Sequence, residues 1–98
     1  MIDIEKYRPL IDAACREFRI EKLDIVGSAA RGDVRPDSDI DVLVSFEGDG
    51  DLFSRYFGLK ERLEAIFGRS VDVVEERALR NPYILRTMQR DRQHLYGS

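Results

Sequence analysis

Residues 25–44 read IVGSAARGDVRPDSDIDVLV, and the fold turns on this stretch. Both of its ends are strand-like. Leu23-Asp24-Ile25-Val26 alternates and runs into Gly27-Ser28, and Asp39 to Phe46 is rich in β-branched residues. A Gly-Ser pair after a strand, with a short helix from Ser28 to about Arg31 behind it, suits a phosphate. The glycine lets backbone approach closely, the helix start leaves N–H groups free, and the hydroxyl adds a donor. Taken alone, the same pair also reads as an ordinary turn. In the second strand Asp39 and Asp41 project from one face, roughly 6.5–7 Å apart. Ile40, Val42 and Val44 point the other way, toward a core. Two carboxylates so spaced can lean together onto a pair of metal ions about 3.5–4 Å apart. They can equally be a solvated strand end.

Outward from this stretch the elements follow from periodicity. Upstream, Ile4, Tyr7, Ile11, Ala14 and Phe18 recur at helical spacing. Pro9 lacks an N–H, so the regular helix is expected from about Pro9 to Phe18. Downstream, Leu52, Tyr56, Leu59, Leu63 and Ile66 form an apolar stripe over a helix at 52–67. Gly68 stands at its C-cap, and Gly58 weakens it locally. Ser70 to Glu75 is a third strand, with Asp72 set in an apolar run. An acid there loses hydration unless a metal, a partner or a solvent-facing strand end compensates. Asn81-Pro82 is a cap and first-turn proline opening a last helix to about His94. In it Ile84, Leu85, Met88 and Leu95 face the core. The expected class is α/β (α+β): a small three-stranded sheet with helices packed on it, mixed because the short links cannot all be crossovers. It forms a single domain over residues 1–96, with residues 97–98 as a tail.

Composition narrows the classes. Ninety-eight residues at 43% hydrophobic make one small core. No apolar run is long enough to span a bilayer, and the polar, acidic start does not resemble a signal peptide. The single cysteine, Cys15, excludes an internal disulfide framework and fits a cytoplasmic protein. A net charge of −3 argues against a generic nucleic-acid binder. The charge is uneven, however: Arg77, Arg80, Arg86, Arg90 and Arg92 face only Asp91 in the last 22 residues. That segment is either a solvated basic helix or a surface that meets different chemistry from the acidic body.

The elements combine as Gly27-Ser28-x10-Asp39-x-Asp41, followed by Asp72 on a later strand. In this pattern the chain resembles the DNA polymerase β-like nucleotidyltransferase superfamily. It is most similar to the minimal nucleotidyltransferases (MNT proteins) that pair with HEPN-domain toxins. The stretches LKERLEAIFGRSVDVV and ALRNPYILRTMQRDRQHLY look like that family too. The resemblance implies that Asp39, Asp41 and Asp72 hold two Mg²⁺ ions and carry the catalysis. Asp72 would also receive the proton of the attacking hydroxyl, and Gly27 and Ser28 would bind the β- and γ-phosphates of ATP. Arg31 either contacts the triphosphate or pins its loop through Asp33 or Asp37. Ser38 either positions Asp39 or simply caps the strand. His94 reads as a surface histidine. Tyr56, Phe57, Phe67 and Tyr83 read as core or partner surface rather than base-stacking groups.

The implied function is Mg²⁺-dependent transfer of AMP from ATP to a hydroxyl on a partner protein, a HEPN toxin, with this chain as antitoxin in a hetero-oligomer. Little chain is left beyond the catalytic elements, which favours a macromolecular acceptor that completes the site. The competing reading is a binding module that neutralises its partner by masking, with the acids only structural. A third, transfer to RNA through Arg86, Arg90 and Arg92, conflicts with the acidic pI.

Overall fold

The computed structural model describes residues 4–30, 32, 39–79, 81–83, 86 and 91–97, apart from the side chain of Ser28. Its elements are α1 (Ile4–Glu17), β1 (Ile20–Val26), β2 (Ile40–Phe46), α2 (Leu52–Phe67), β3 (Val71–Glu75) and β4 (Arg92–Tyr96). The strands form one sheet in the order β3-β2-β1-β4. β1 lies antiparallel to both β2 and β4, while β2 and β3 are parallel, joined by α2 as the crossover. The sheet is mixed, as expected, but has four strands rather than three.

The fourth strand corrects the expected last helix. The helix does start as read: Asn81 Oδ1 accepts the Tyr83 N–H at 2.9 Å, and Pro82, Tyr83 and Arg86 are helical. It does not reach His94. Arg92 to Tyr96 pair with β1, burying Leu95 on the helix-covered side while Arg92 and His94 turn to the opposite face. That two-residue alternation overrides the local helical spacing. Ile84, Leu85, Met88, Arg80 and Arg90 lie outside the described residues.

The other difference is Pro9, which sits inside α1. A proline in a helix interior costs about 3 kcal/mol. Here its ring is exposed, and continuing the helix back to Ile4 buries Ile4 and seats Tyr7 edge-on against Phe67, ring centroids 5.8 Å apart. Burying two such side chains offsets a loss of that size.

Both helices cover one face of the sheet. Ile11 and Cys15 of α1 and Leu59 and Leu63 of α2 meet Leu23, Ile25, Ile40, Val42, Val44, Val71 and Val73 in a single apolar cluster. Gly58 is where the helices come close, since a Cβ there would drive into the Phe18 ring. That approach offsets the lower helix propensity of glycine. Burial pushes the Cys15 thiol up to about 12, with Asp12 adding to the rise.

Arg55 secures one end of the sheet, and nothing in the sequence reading singled it out. Its buried guanidinium donates to Phe18 O (2.8 Å), Gly50 O (2.8 Å), Arg19 O (2.6 Å) and Glu47 O (2.7 Å), and it lies over the Phe46 ring. One side chain thereby ties the α1–β1 turn to the β2–α2 turn. A planar, weakly hydrated cation with a fork of donors is suited to this buried position.

Helix side chains also engage both sheet edges. Along β3, Tyr56 Oη donates to Val73 O at 2.7 Å, Lys60 Nζ donates to Val71 O, and Glu64 Oε2 accepts the Val71 N–H at 3.0 Å. These three residues recur every four along α2 and so form one stripe. The bonds from Val71 and Lys60 hold the Glu64 carboxyl below the usual range. Along β4, Arg8 Nη1 of α1 donates to Leu95 O at 3.1 Å.

Candidate functional site

The face of the sheet opposite the helices carries the acids. Cross-strand neighbours in register share a face. Asp72 pairs with Asp41, Asp41 with Val26, and Val26 with Arg92, so these four residues form one row across β3, β2, β1 and β4. Asp72 therefore stands beside Asp41 on the same side of the sheet. The Ile40 N–H donates to Ser70 O at 3.0 Å, which fixes the register of the two parallel strands at this end. Asp39 immediately precedes β2 and is exposed, as is Asp72, while Asp41 is half-buried.

The electrostatics follow from this arrangement. The Asp41 carboxyl is raised above the ordinary aspartate range, first by burial, then by the charges of Asp72 and Asp39, and by a hydrogen bond with Asp72. The hydrogen bond with Asp72 fits an Asp41 carboxyl that ionises only with difficulty in the absence of a counter-cation. Gly27 stands directly against this group. Its φ is +73°, and a Cβ there would lie 3.2 Å from Asp41 Oδ2. Glycine suits the backbone conformation here, and a side chain would press on the acid. Gly27–Ala29 form a single 3₁₀ turn, shorter than the expected helix, closed by Ala30 N–H donating to Gly27 O at 3.1 Å.

The structure thus gathers Asp41, Asp72 and Gly27, with Asp39 close enough to act on Asp41 through its charge. Arg31, Ser38, Asp33 and Asp37 lie outside the described residues. Among the described residues no three His, Cys, Asp or Glu side chains are drawn together as a ready-made ion cage. The donor set nevertheless suits a hard divalent cation. It consists of carboxylate oxygens only, two of them held together by a hydrogen bond that an ion would replace, and Mg²⁺ takes such a set while keeping ligands from phosphate and water.

A second polar group lies next to the acids and was not foreseen. Asp24, 1% exposed in the middle of β1, accepts from Arg92 Nε and is met by His94 Nδ1 at 2.8 Å. Arg92 reaches on to Glu76, with Nη2 3.1 Å from Oε1, and Glu76 Oε2 accepts from Ser45 Oγ at 3.2 Å. This strap crosses the face where Val26 and Leu43 are buried. Burial works against the Arg92 charge, but Asp24 and Glu76 outweigh it and hold its pKa above the ordinary arginine value. Arg92, with a side chain only 16% exposed, belongs to the fold rather than to a nucleic-acid surface. Arg77 likewise pairs with Glu21 at 3.5 Å. The signal for Asp24 was available in the sequence, because it interrupts an apolar strand just as Asp72 does.

Comparison with known proteins agrees with this geometry. The family model for the nucleotidyltransferase domain matches residues 8–95. Protein adenylyltransferase MntA of Thermococcus cleftensis is 33% identical over 85 residues, covering 83% of this chain and 85% of that protein. A solved structure described as a candidate minimal nucleotidyltransferase superimposes with a TM-score of 0.74 at 35% identity, over 93% of this chain and 94% of that one. A tri-AMPylated HEPN toxin of Shewanella oneidensis in complex with MNT antitoxin contains a chain that matches with a TM-score of 0.68. There 97% of this chain and 73% of that one are covered, at 18% identity, so the likeness speaks for fold alone. A glycine turn set against paired acids, on a sheet shared with these proteins, places the chain in the nucleotidyltransferase-domain family, among its minimal nucleotidyltransferases.

Proposed function

We propose that this nucleotidyltransferase transfers AMP from ATP to a hydroxyl on a partner protein, a HEPN-domain toxin for which it acts as antitoxin. The observation that carries the reading is the in-register pair of Asp41 and Asp72 beside Gly27. The acceptor class and the partner are suggested by what the relatives are named for: a protein adenylyltransferase, and an MNT antitoxin complexed with an AMPylated HEPN toxin.

In this reading Asp39, Asp41 and Asp72 hold two Mg²⁺ ions. When bound, the ions supply charge stabilisation for the attacking and leaving oxygens. Gly27 and Ser28 bind the triphosphate through the backbone of the turn and the Ser28 hydroxyl, with Arg31 and Ser38 as further candidates. Asp72, on the exposed side of the pair, takes the proton of the attacking hydroxyl. A bond forms between that oxygen and the α-phosphorus, the bond from the α-phosphorus to the bridging oxygen breaks, and pyrophosphate leaves.

The experiment is transfer of label from α-labelled ATP to a HEPN-domain protein, with Mg²⁺ and with EDTA. Label on the partner is expected, absent with EDTA and lowered about a hundredfold or more in Asp41→Asn and Asp72→Asn. Neutralisation of the partner without label, unchanged in Asp39→Asn plus Asp41→Asn, would show masking instead and overturn the reading.

A further inference from the structure

The outer face of α2 carries an aromatic group that the nucleotide chemistry does not use. Phe53 is 77% exposed and Phe57 46%, with ring centroids 4.8 Å apart, and Phe57 packs on the edge of Tyr56 at 5.1 Å. Phe53, Phe57 and Glu61 lie one helical turn apart on a single stripe. Two large apolar side chains stacked together in solvent bury little area unless something else covers them.

Charge says what would cover them. Exposed Asp49 and Asp51 lead into the helix just before Phe53, and exposed Glu61 follows Phe57. No lysine or arginine stands on the stripe. The nearby Arg55 points inward to backbone carbonyls, and Arg19 donates to Gly50 O. An apolar patch with an acidic rim repels nucleic acid and anionic lipid. It matches a protein segment that presents aliphatic or aromatic side chains flanked by Lys or Arg.

The patch also connects to the acids. Tyr56, which supports Phe57, donates to Val73 O, and the next residue back along β3 is Asp72. A segment seated on Phe53 and Phe57 would flank the edge of β3, toward the end of the strands away from the acid pair, and could run along that edge to Asp72. We infer that Phe53, Phe57 and their acidic rim dock a basic, apolar segment of the protein acceptor. This rests on the reading of the chain as an enzyme that modifies a protein.

The test uses the full chain and two fluorescein-labelled amphipathic peptides: one of leucine and lysine, the other with glutamate for every lysine. The lysine peptide is expected to bind at least tenfold more tightly, with affinity falling as salt rises. Phe53→Ser plus Phe57→Ser should weaken it about tenfold at unchanged melting temperature, and Asp49→Asn plus Glu61→Gln about threefold with a flatter salt dependence. If the double phenylalanine variant fails to fold, Phe53→Ser alone carries the test. Equal affinity for both peptides, or no loss in the phenylalanine variants, overturns the inference. So does a fall from dimer to monomer mass in Phe53→Ser plus Phe57→Ser, which would assign the patch to a second copy of the chain. Peptide binding needs neither ATP nor metal, so its failure is distinguishable from failure of transfer.

Discussion

The two faces of one sheet are built on opposite terms. Under the helices, Leu23, Ile25, Val42 and Val44 meet Leu59 and Leu63 with no charge among them. On the reverse face the alternate residues of the same strands include Asp24 and Asp41, with Asp72, Arg92 and His94 beside them. Strand alternation alone allows this, because neighbouring residues point to opposite sides. The lesson is that the covered face carries the stability. It supports a face where Asp24 is neutralised locally, while Asp41 remains crowded by like charges.

The contrast is open to direct attack. The largest effect belongs to the covered face: Leu63→Ala should cost about 3 kcal/mol by urea denaturation, with transfer per folded molecule unchanged. Asp24→Ala should cost about 2 kcal/mol, because it leaves a largely shielded Arg92 half-paired. Adding Arg92→Met should recover part of that loss, which separates an orphaned charge from a cavity.

The smallest effect has the opposite sign. Asp41→Asn should stabilise the fold at pH 7 by less than about 1 kcal/mol, since solvent screens a half-exposed group. A carboxyl whose folded pKa is raised costs stability when ionised, so the cost is full above the raised value. It is absent below the unfolded value of about 3.9. The gain from asparagine should therefore disappear as pH falls toward 4. It should also shrink when Mg²⁺ raises the melting temperature of the unsubstituted chain.

What was legible in the sequence depended on range. The stripe of α2 with Gly68 behind it, the β-branched run of β2, and the Gly27-Ser28 turn before two acids are local patterns, and they stand where they were expected. That Asp72 joins the other acids was implied by the family resemblance, and the register of β3 on β2 sets it beside Asp41. β4 was not legible, because its pairing with β1 joins residues about 70 positions apart, as does the bond from Arg92 to Asp24. The Asn81-Pro82 start and the spacing of Ile84, Leu85 and Met88 favoured a helix, and only the distant partner makes residues 92–96 a strand. Arg55 was hidden for a related reason. Its role lies in four backbone carbonyls, which no pattern of side chains announces.

The engaged rims of the sheet carry a consequence for assembly. With Tyr56, Lys60 and Glu64 engaging the backbone of Val71 and Val73, and Arg8 engaging Leu95, a foreign peptide would have to displace these bonds before it could zip on as an additional strand. Edge-to-edge sheet growth is obstructed along β3, and at the Leu95 carbonyl along β4. Any companion chain is thereby steered toward recognition through side chains and surface shape, which permits it to come and go without templating fibres.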